Sequence, residues 1–236
     1  MTSVLAIPRR FNGPPSSGNG GWSAGAFAAA AGLPDGSTVR LRVPPPLETP
    51  LHVAEAGDTV ELRDDDTVVA VGSSPAVSWS AVTPVDPGTA RSASSRYPGL
   101  VRHPFPTCFS CGPARAEGDG LRIFPGRVAK GVVAAPWTPD PSVAGDDGVV
   151  AVPVTWAALD CAGGWSSNLE ERPLVLGQIS VCVGSPLLTG TPYVVVGRLV
   201  GSEGRKTWTS SALLAADGSV LAQAEHIWVA VEWATG

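Results

Sequence analysis

Gly20-Gly21-Trp22-Ser23 recurs as Gly163-Gly164-Trp165-Ser166. In a chain with 28 glycines one repeated tetrapeptide decides little, but two further matches follow in the same order. Pro46-Leu47-Glu48-Thr49-Pro50-Leu51-His52-Val53 corresponds to Pro186-Leu187-Leu188-Thr189 and, past a two-residue insertion, to Pro192-Tyr193-Val194-Val195. Asp65-Asp66-Thr67-Val68-Val69-Ala70 corresponds to Asp217-Gly218-Ser219-Val220-Leu221-Ala222. Three collinear matches indicate one structural unit built twice.

Around the first copy, Trp22 to Gly32 reads as a helix with no charge on any face. Such a helix must be buried on most sides. Asn19 is its expected N-cap, with Gly32 and Pro34 as its stop. Short strands follow at Thr38–Val43, Leu51–Glu55, Thr59–Arg63 and Val68–Val71, with Asp64-Asp65-Asp66 as a hairpin turn. Val77–Val82 is a further candidate strand. Residues 84–120 are rich in Pro, Gly, Ser and Arg without a clear period, and read as a long connection partly ordered by Tyr97, Phe105 and Phe109.

Around the second copy, strands are expected at Leu121–Phe124 and Val128–Pro136. The apolar stretch Val149–Trp156 then leads into Ala157–Glu171, the second helical region. Long strands follow at Leu174–Val183, Tyr193–Val200, Lys206–Ala215 and Val220–Glu232, with Ala216-Asp217-Gly218 as a turn. The expected organisation is a first half at 1–83, a linker at 84–120 and a second half at 121–236. Each half pairs one buried helix with an antiparallel sheet that wraps around it, an α+β class.

Asp160-Cys161-Ala162-Gly163, at the presumed start of the second helix, resembles the Asp-x-x-Gly of 4-hydroxybenzoyl-CoA thioesterase-like enzymes. With two helix-plus-sheet units, the chain resembles the hotdog-fold acyl-CoA thioesterase superfamily in tandem, or double hotdog, form. The resemblance implies hydrolysis of an acyl-CoA or related acyl thioester. It implies Asp160 as nucleophile or general base, with the helix N-terminal amides polarising the thioester carbonyl. Gly163 and Gly164 are the expected catalytic backbone donors, because helix N-terminal N–H groups are free and carry the positive dipole end. Simple capping by Asp160 is the alternative role.

Aligning the tetrapeptides sets Ser17 opposite Asp160 and Asn19 opposite Ala162, so the first half lacks the carboxylate. Asn19-Gly20-Gly21 resembles the His-Gly-Gly of another hotdog branch, with Asn for His. Asn19, Gly20, Gly21, Trp22 and Trp165 are therefore expected to bind substrate. The tandem long-chain thioesterases use Asp, Gln and Thr on strands. Matching the Ser185-Pro186 bend makes Gln178 a further binding candidate, with Glu225 and His226 as strand residues that could face the cleft. For His226 a satisfied histidine within the sheet is the favoured role. A non-catalytic acyl-CoA binding module and an enoyl-thioester hydratase or dehydratase remain open alternatives.

Composition excludes other classes. The net charge is −5, and Arg9-Arg10 and Arg205-Lys206 are the only adjacent basic pairs, so nucleic acid is not an expected partner. No run of 18 apolar residues exists and no secretory pattern is present, so a cytoplasmic protein without a membrane span is expected. Exposed sheet edges favour a homodimer. Neither a Gly-x-Gly-x-x-Gly nor a Gly-x-Ser-x-Gly occurs, and no cofactor is expected. Cys108-Phe109-Ser110-Cys111-Gly112 is a Cys-x-x-Cys turn with His103 five residues ahead. A structural zinc site needs four ligands, and Cys161 and Cys182 are isolated in the sequence, so a tight turn is the favoured role and no metal is expected, with metal binding and a redox role as the open alternatives.

Overall fold

A computed structural model describes residues 3–75 and 77–232. One antiparallel sheet of eleven strands organises it. The strands are β1 (Val4–Leu5), β2 (Thr38–Leu41), β3 (Leu51–Ala56), β4 (Thr59–Asp64), β5 (Thr67–Ser73), β6 (Gly126–Ala129), β7 (Val132–Trp137), β8 (Leu174–Val183), β9 (Tyr193–Glu203), β10 (Lys206–Leu214) and β11 (Val220–Ala230). Three helices accompany them: α1 (Gly20–Ala30), α2 (Pro87–Ser94) and α3 (Val152–Trp165).

The strand order is β1-β3-β4-β5-β2-β8-β11-β10-β9-β7-β6. About the β2–β8 pair, where Thr38, Val39 and Arg40 face Ser180, Ile179 and Gln178, four strands on each side mirror one another. Outward from that seam β5 answers β11, β4 answers β10 and β3 answers β9. The repeats at 46–53 and 65–70 thus fall on equivalent elements: the approach to β3 or β9, and the β4–β5 or β10–β11 turn. Asp65 takes a positive φ of 46° and Gly218 one of 85° in those turns.

Strand alternation places the core. Val133, Ala135, Val195 and Leu213 belong to the main core on the α3 side of the sheet. Their neighbours Ala134, Val194, Val196, Ala212 and Leu214 form a smaller cluster with Ala90 on the opposite face, under α2. α1 and α3 lie against each other. A Cβ at Gly21 would stand 2.6 Å from Asp160 Cβ and 2.7 Å from the Trp156 carbonyl, and one at Gly25 2.8 Å from Trp156. As α1 advances, its neighbours on α3 recede, so the helices run antiparallel. Phe27, with no exposed surface, contributes about 1.5–3 kcal/mol by burial.

Several elements differ from expectation. Val77–Val82 and Leu121–Phe124 form no strand, and Val128–Pro136 is instead the β6–β7 hairpin turning at Lys130-Gly131. Within 84–120 a helix forms after all: Asp86 accepts the Thr89 N–H and Pro87 opens the first turn, a favourable helix start. The main correction concerns the second helix. α3 begins at Val152, so Gly163-Gly164-Trp165 closes it rather than opening it. α1, by contrast, starts at Gly20. The repeated tetrapeptide occupies opposite ends of its two helices.

Candidate active site

α1 begins where Asn19 bends back on the chain. Its Oδ1 accepts the Trp22 N–H at 2.8 Å, an N-cap bond. Its Nδ2 donates at 2.9 Å to Asp160 Oδ2, which also accepts the Gly21 N–H at 2.9 Å. Asp160 sits in the middle of α3, 2% exposed in an otherwise apolar stretch. Burial pushes its carboxyl up to about 7, against the pull of the Gly21 N–H and the Asn19 amide. Its Oδ1 has no partner among the described residues. The Gly20 N–H likewise makes no bond among them.

Asn19, Gly20 and Asp160 line one cavity of about 470 Å³, within the ordinary range for small-molecule sites. Leu41, Leu174, Leu176, Trp228, Val229 and Val231 make its wall apolar, while Arg42 and Arg205 are exposed at it. Arg205 donates to the Ala230 carbonyl from Nε at 3.3 Å and Nη2 at 3.1 Å. Cys108, Cys111, Cys161, His103 and Trp165 complete one side.

Asp160, Asn19, Gly20 and Gly21 therefore converge from two helices, with the carboxylate of α3 meeting the N-terminus of α1. Gly163 and Gly164 do not join them. They lie in the last turn of α3, where N–H groups are used within the helix. A Cβ at Gly163 would meet Thr209 Oγ1 at 2.6 Å and one at Gly164 would meet Leu169 at 2.8 Å, so both are packing positions against the sheet side of α3. Trp22 stacks on Phe11 with ring centroids 4.1 Å apart, outside the cavity lining, whereas Trp165 lines it.

Gln178 is also outside. Leu174 and Leu176 face the core, and simple alternation carries Gln178 with them. The β8–β11 register shifts between Ile227 and Trp228, across from Gly177, so Ile179 faces in instead. Gln178 Oε1 accepts from Arg40 Nε and Nη2 at 3.1 and 2.9 Å on the outer face. His226 is a buried sheet histidine, its Nδ1 3.2 Å from Thr209 Oγ1, and burial pulls its imidazole down to about 4. Glu225 Oε1 accepts the Ser80 N–H at 2.6 Å, away from the cavity.

Cys161, next to Asp160, is the residue the sequence pattern missed. Its Sγ lies 3.7 Å from Cys108 Sγ, 53 positions away in the chain. The Cys108–Cys111 turn is held on α3 by Ser110 Oγ, which donates to the Ala157 carbonyl. Hydrogen bonding from Cys111 and Cys161 keeps the Cys108 thiol low, while burial raises Cys111.

The backbone as a whole matches a tesB protein of Mycobacterium avium subspecies paratuberculosis at TM-score 0.63 and 14% identity, over 98% of this chain and 93% of that one. It matches equally a hot dog fold protein of unknown function from Alicyclobacillus acidocaldarius, at TM-score 0.62, 14% identity and 98% and 93% coverage. The fold is a hotdog fold. A thioesterase candidate from Novosphingobium aromaticivorans shares this hotdog architecture at TM-score 0.62, 12% identity and 98% and 96% coverage. No protein-family model and no curated protein matches the chain. At such identities the likeness carries the hotdog fold, and the chemistry must be argued from the cavity.

Proposed function

We propose that this chain is a double hotdog thioesterase, hydrolysing an acyl thioester of coenzyme A in one site built from both halves. One observation carries the proposal: in a single cavity an aspartate is clamped through Oδ2 by Asn19 and Gly21, leaving Oδ1 and the Gly20 N–H without a partner among the described residues. A carboxylate and a free backbone donor are the two groups that thioester hydrolysis needs. The thioester carbonyl oxygen would lie at the Gly20 N–H, at the positive end of α1. Asp160 Oδ1 would attack the carbonyl carbon or take a proton from the attacking water. The apolar wall suits the acyl group, and Arg42 and Arg205 suit the phosphates of the carrier.

The test is Asp160→Asn assayed against short, long and aromatic acyl-CoAs. The amide keeps shape and loses basicity, so kcat on the best wild-type substrate falls by about 10²–10⁴. Full activity in the folded variant would remove Asp160 from the chemistry. Binding without turnover by the wild type across the panel would reassign the cavity to an acyl-CoA binding module.

A further inference from the structure

Cys108, Cys111 and Cys161 hold their sulfurs within 4.8 Å of one another, all buried, with no carboxylate or imidazole atom in the group among the described residues. None is in a disulfide. Cys108 Sγ and Cys161 Sγ are 3.7 Å apart. A disulfide brings sulfurs to about 2.05 Å. A tetrahedral zinc with Zn–S of about 2.3 Å sets its sulfurs about 3.8 Å apart. The observed spacing is that of a tetrahedron edge.

The surroundings supply donors to sulfur. Trp165 Nε1 points at Cys111 Sγ from 3.5 Å and Asn19 Nδ2 at Cys108 Sγ from 3.7 Å. His103 Nε2 lies 3.3 Å from Cys111 Sγ. Its tautomer follows from its other nitrogen: Nδ1 accepts the Phe105 N–H at 2.9 Å, so a neutral ring carries its proton on Nε2 and donates it to sulfur. His103 is therefore an outer partner and not a ligand. Buried thiols as simple core residues need no such donors, whereas metal-bound thiolates are oriented and tuned by them. The turn that presents two of the sulfurs is itself constrained. Gly112 donates its N–H to the Cys108 carbonyl at 2.9 Å, and a Cβ there would stand 2.5 Å from the Cys108 and Pro106 carbonyl oxygens.

We infer that Cys108, Cys111 and Cys161 are thiolate ligands of a thiophilic divalent cation, zinc by donor chemistry, tying the 84–120 segment to α3. Three soft sulfur donors, one pair of them at 3.7 Å and all within 4.8 Å, select zinc over magnesium or calcium. All three cysteines line the cavity, so the fourth vertex is filled from it by water. Each thiol gives up its proton as its metal–sulfur bond forms, three protons per ion, with no change of oxidation state. The inference stands apart from thioester hydrolysis, since its readouts are metal content and spectra.

The full-length protein, purified without a metal-affinity step, is expected to carry one zinc per chain by elemental analysis. After chelation, cobalt(II) alone should restore one equivalent with sulfur-to-cobalt charge-transfer absorption and the intense visible bands of a tetrahedral ion. Trp165→Phe should weaken zinc affinity about 10-fold while keeping the ligands, and Cys161→Ser should remove part of the charge-transfer intensity. Because the wild-type cobalt spectrum does not depend on any variant folding, it decides the matter alone. Protein that takes up neither zinc nor cobalt stoichiometrically, or a Cys108 disulfide to Cys111 or Cys161 found by mass spectrometry, would overturn the assignment.

Discussion

The starts of α1 and α3 are equivalent places about the β2–β8 pair, yet they carry different chemistry. α1 opens with Asn19-Gly20-Gly21, which offers a side-chain cap and small, approachable amides. α3 opens with Ala151-Val152-Pro153, which has no side-chain cap and no N–H at its second position. The carboxylate is equally one-sided. Asp160 lies nine residues past the Ala151 cap, and nine past Asn19 stands Ala28. So a carboxylate meets the donor-rich start of α1, whereas the corresponding positions are Ala28 on α1 and the Ala151-Val152-Pro153 start of α3. One chain thus carries unlike groups at two corresponding places in its sheet.

That asymmetry is open to test. The largest effect is expected from Gly21→Ala, because its methyl would sit 2.6 Å from Asp160 Cβ and push the helices apart. Overpacking of this kind costs about 1–3 kcal/mol, read by chemical denaturation, and activity should fall with it. The mirror change Pro153→Ala should leave activity intact; equal losses from both would mean the two starts are not functionally distinct. Asn19→Ala comes next. It removes the cap and one donor to Asp160, costing about 1 kcal/mol of stability and lowering kcat, whereas a stability loss with unchanged kcat would confine Asn19 to capping.

Ala151→Asp is expected to go the other way. The site is exposed, extended and uncapped, so an acidic cap should add about 0.5–1 kcal/mol, visible as a higher denaturation midpoint with unaltered turnover. The smallest effect should come from Gln178→Ala. Its exposed bond to Arg40 is worth less than about 0.5 kcal/mol, and kcat/KM should not change; a tenfold drop would return Gln178 to the site.

Much of the fold was legible because strand alternation and turn residues are local signals. Leu174–Val183 is found as expected, and the 65–70 and 217–222 matches mark equivalent hairpins. The site was legible as residues but not as an arrangement. Asn19, Gly20, Gly21 and Asp160 could each be named, yet the shared tetrapeptide put the wrong ends of the helices in register. α3 gives a weak start signal, since Ala151 cannot cap and only Pro153 marks its first turn. The Asp86-Pro87 signal that opens α2 was present and outweighed by the composition around it. Gln178 was named by matching the Ser185-Pro186 bend, and that match could not register the bulge at Gly177 that turns its side chain to Arg40. Cys161 could not be joined to Cys108 without knowing that the segment folds back over α3.

The uncapped start of α3 also bears on inheritance. In a symmetric homodimer one codon writes both copies of a position, so each change is tested at two sites at once. Here Ala28 and Asp160 are separate letters, as are Pro153 and Gly21. The two corners can therefore change independently of each other, one residue at a time.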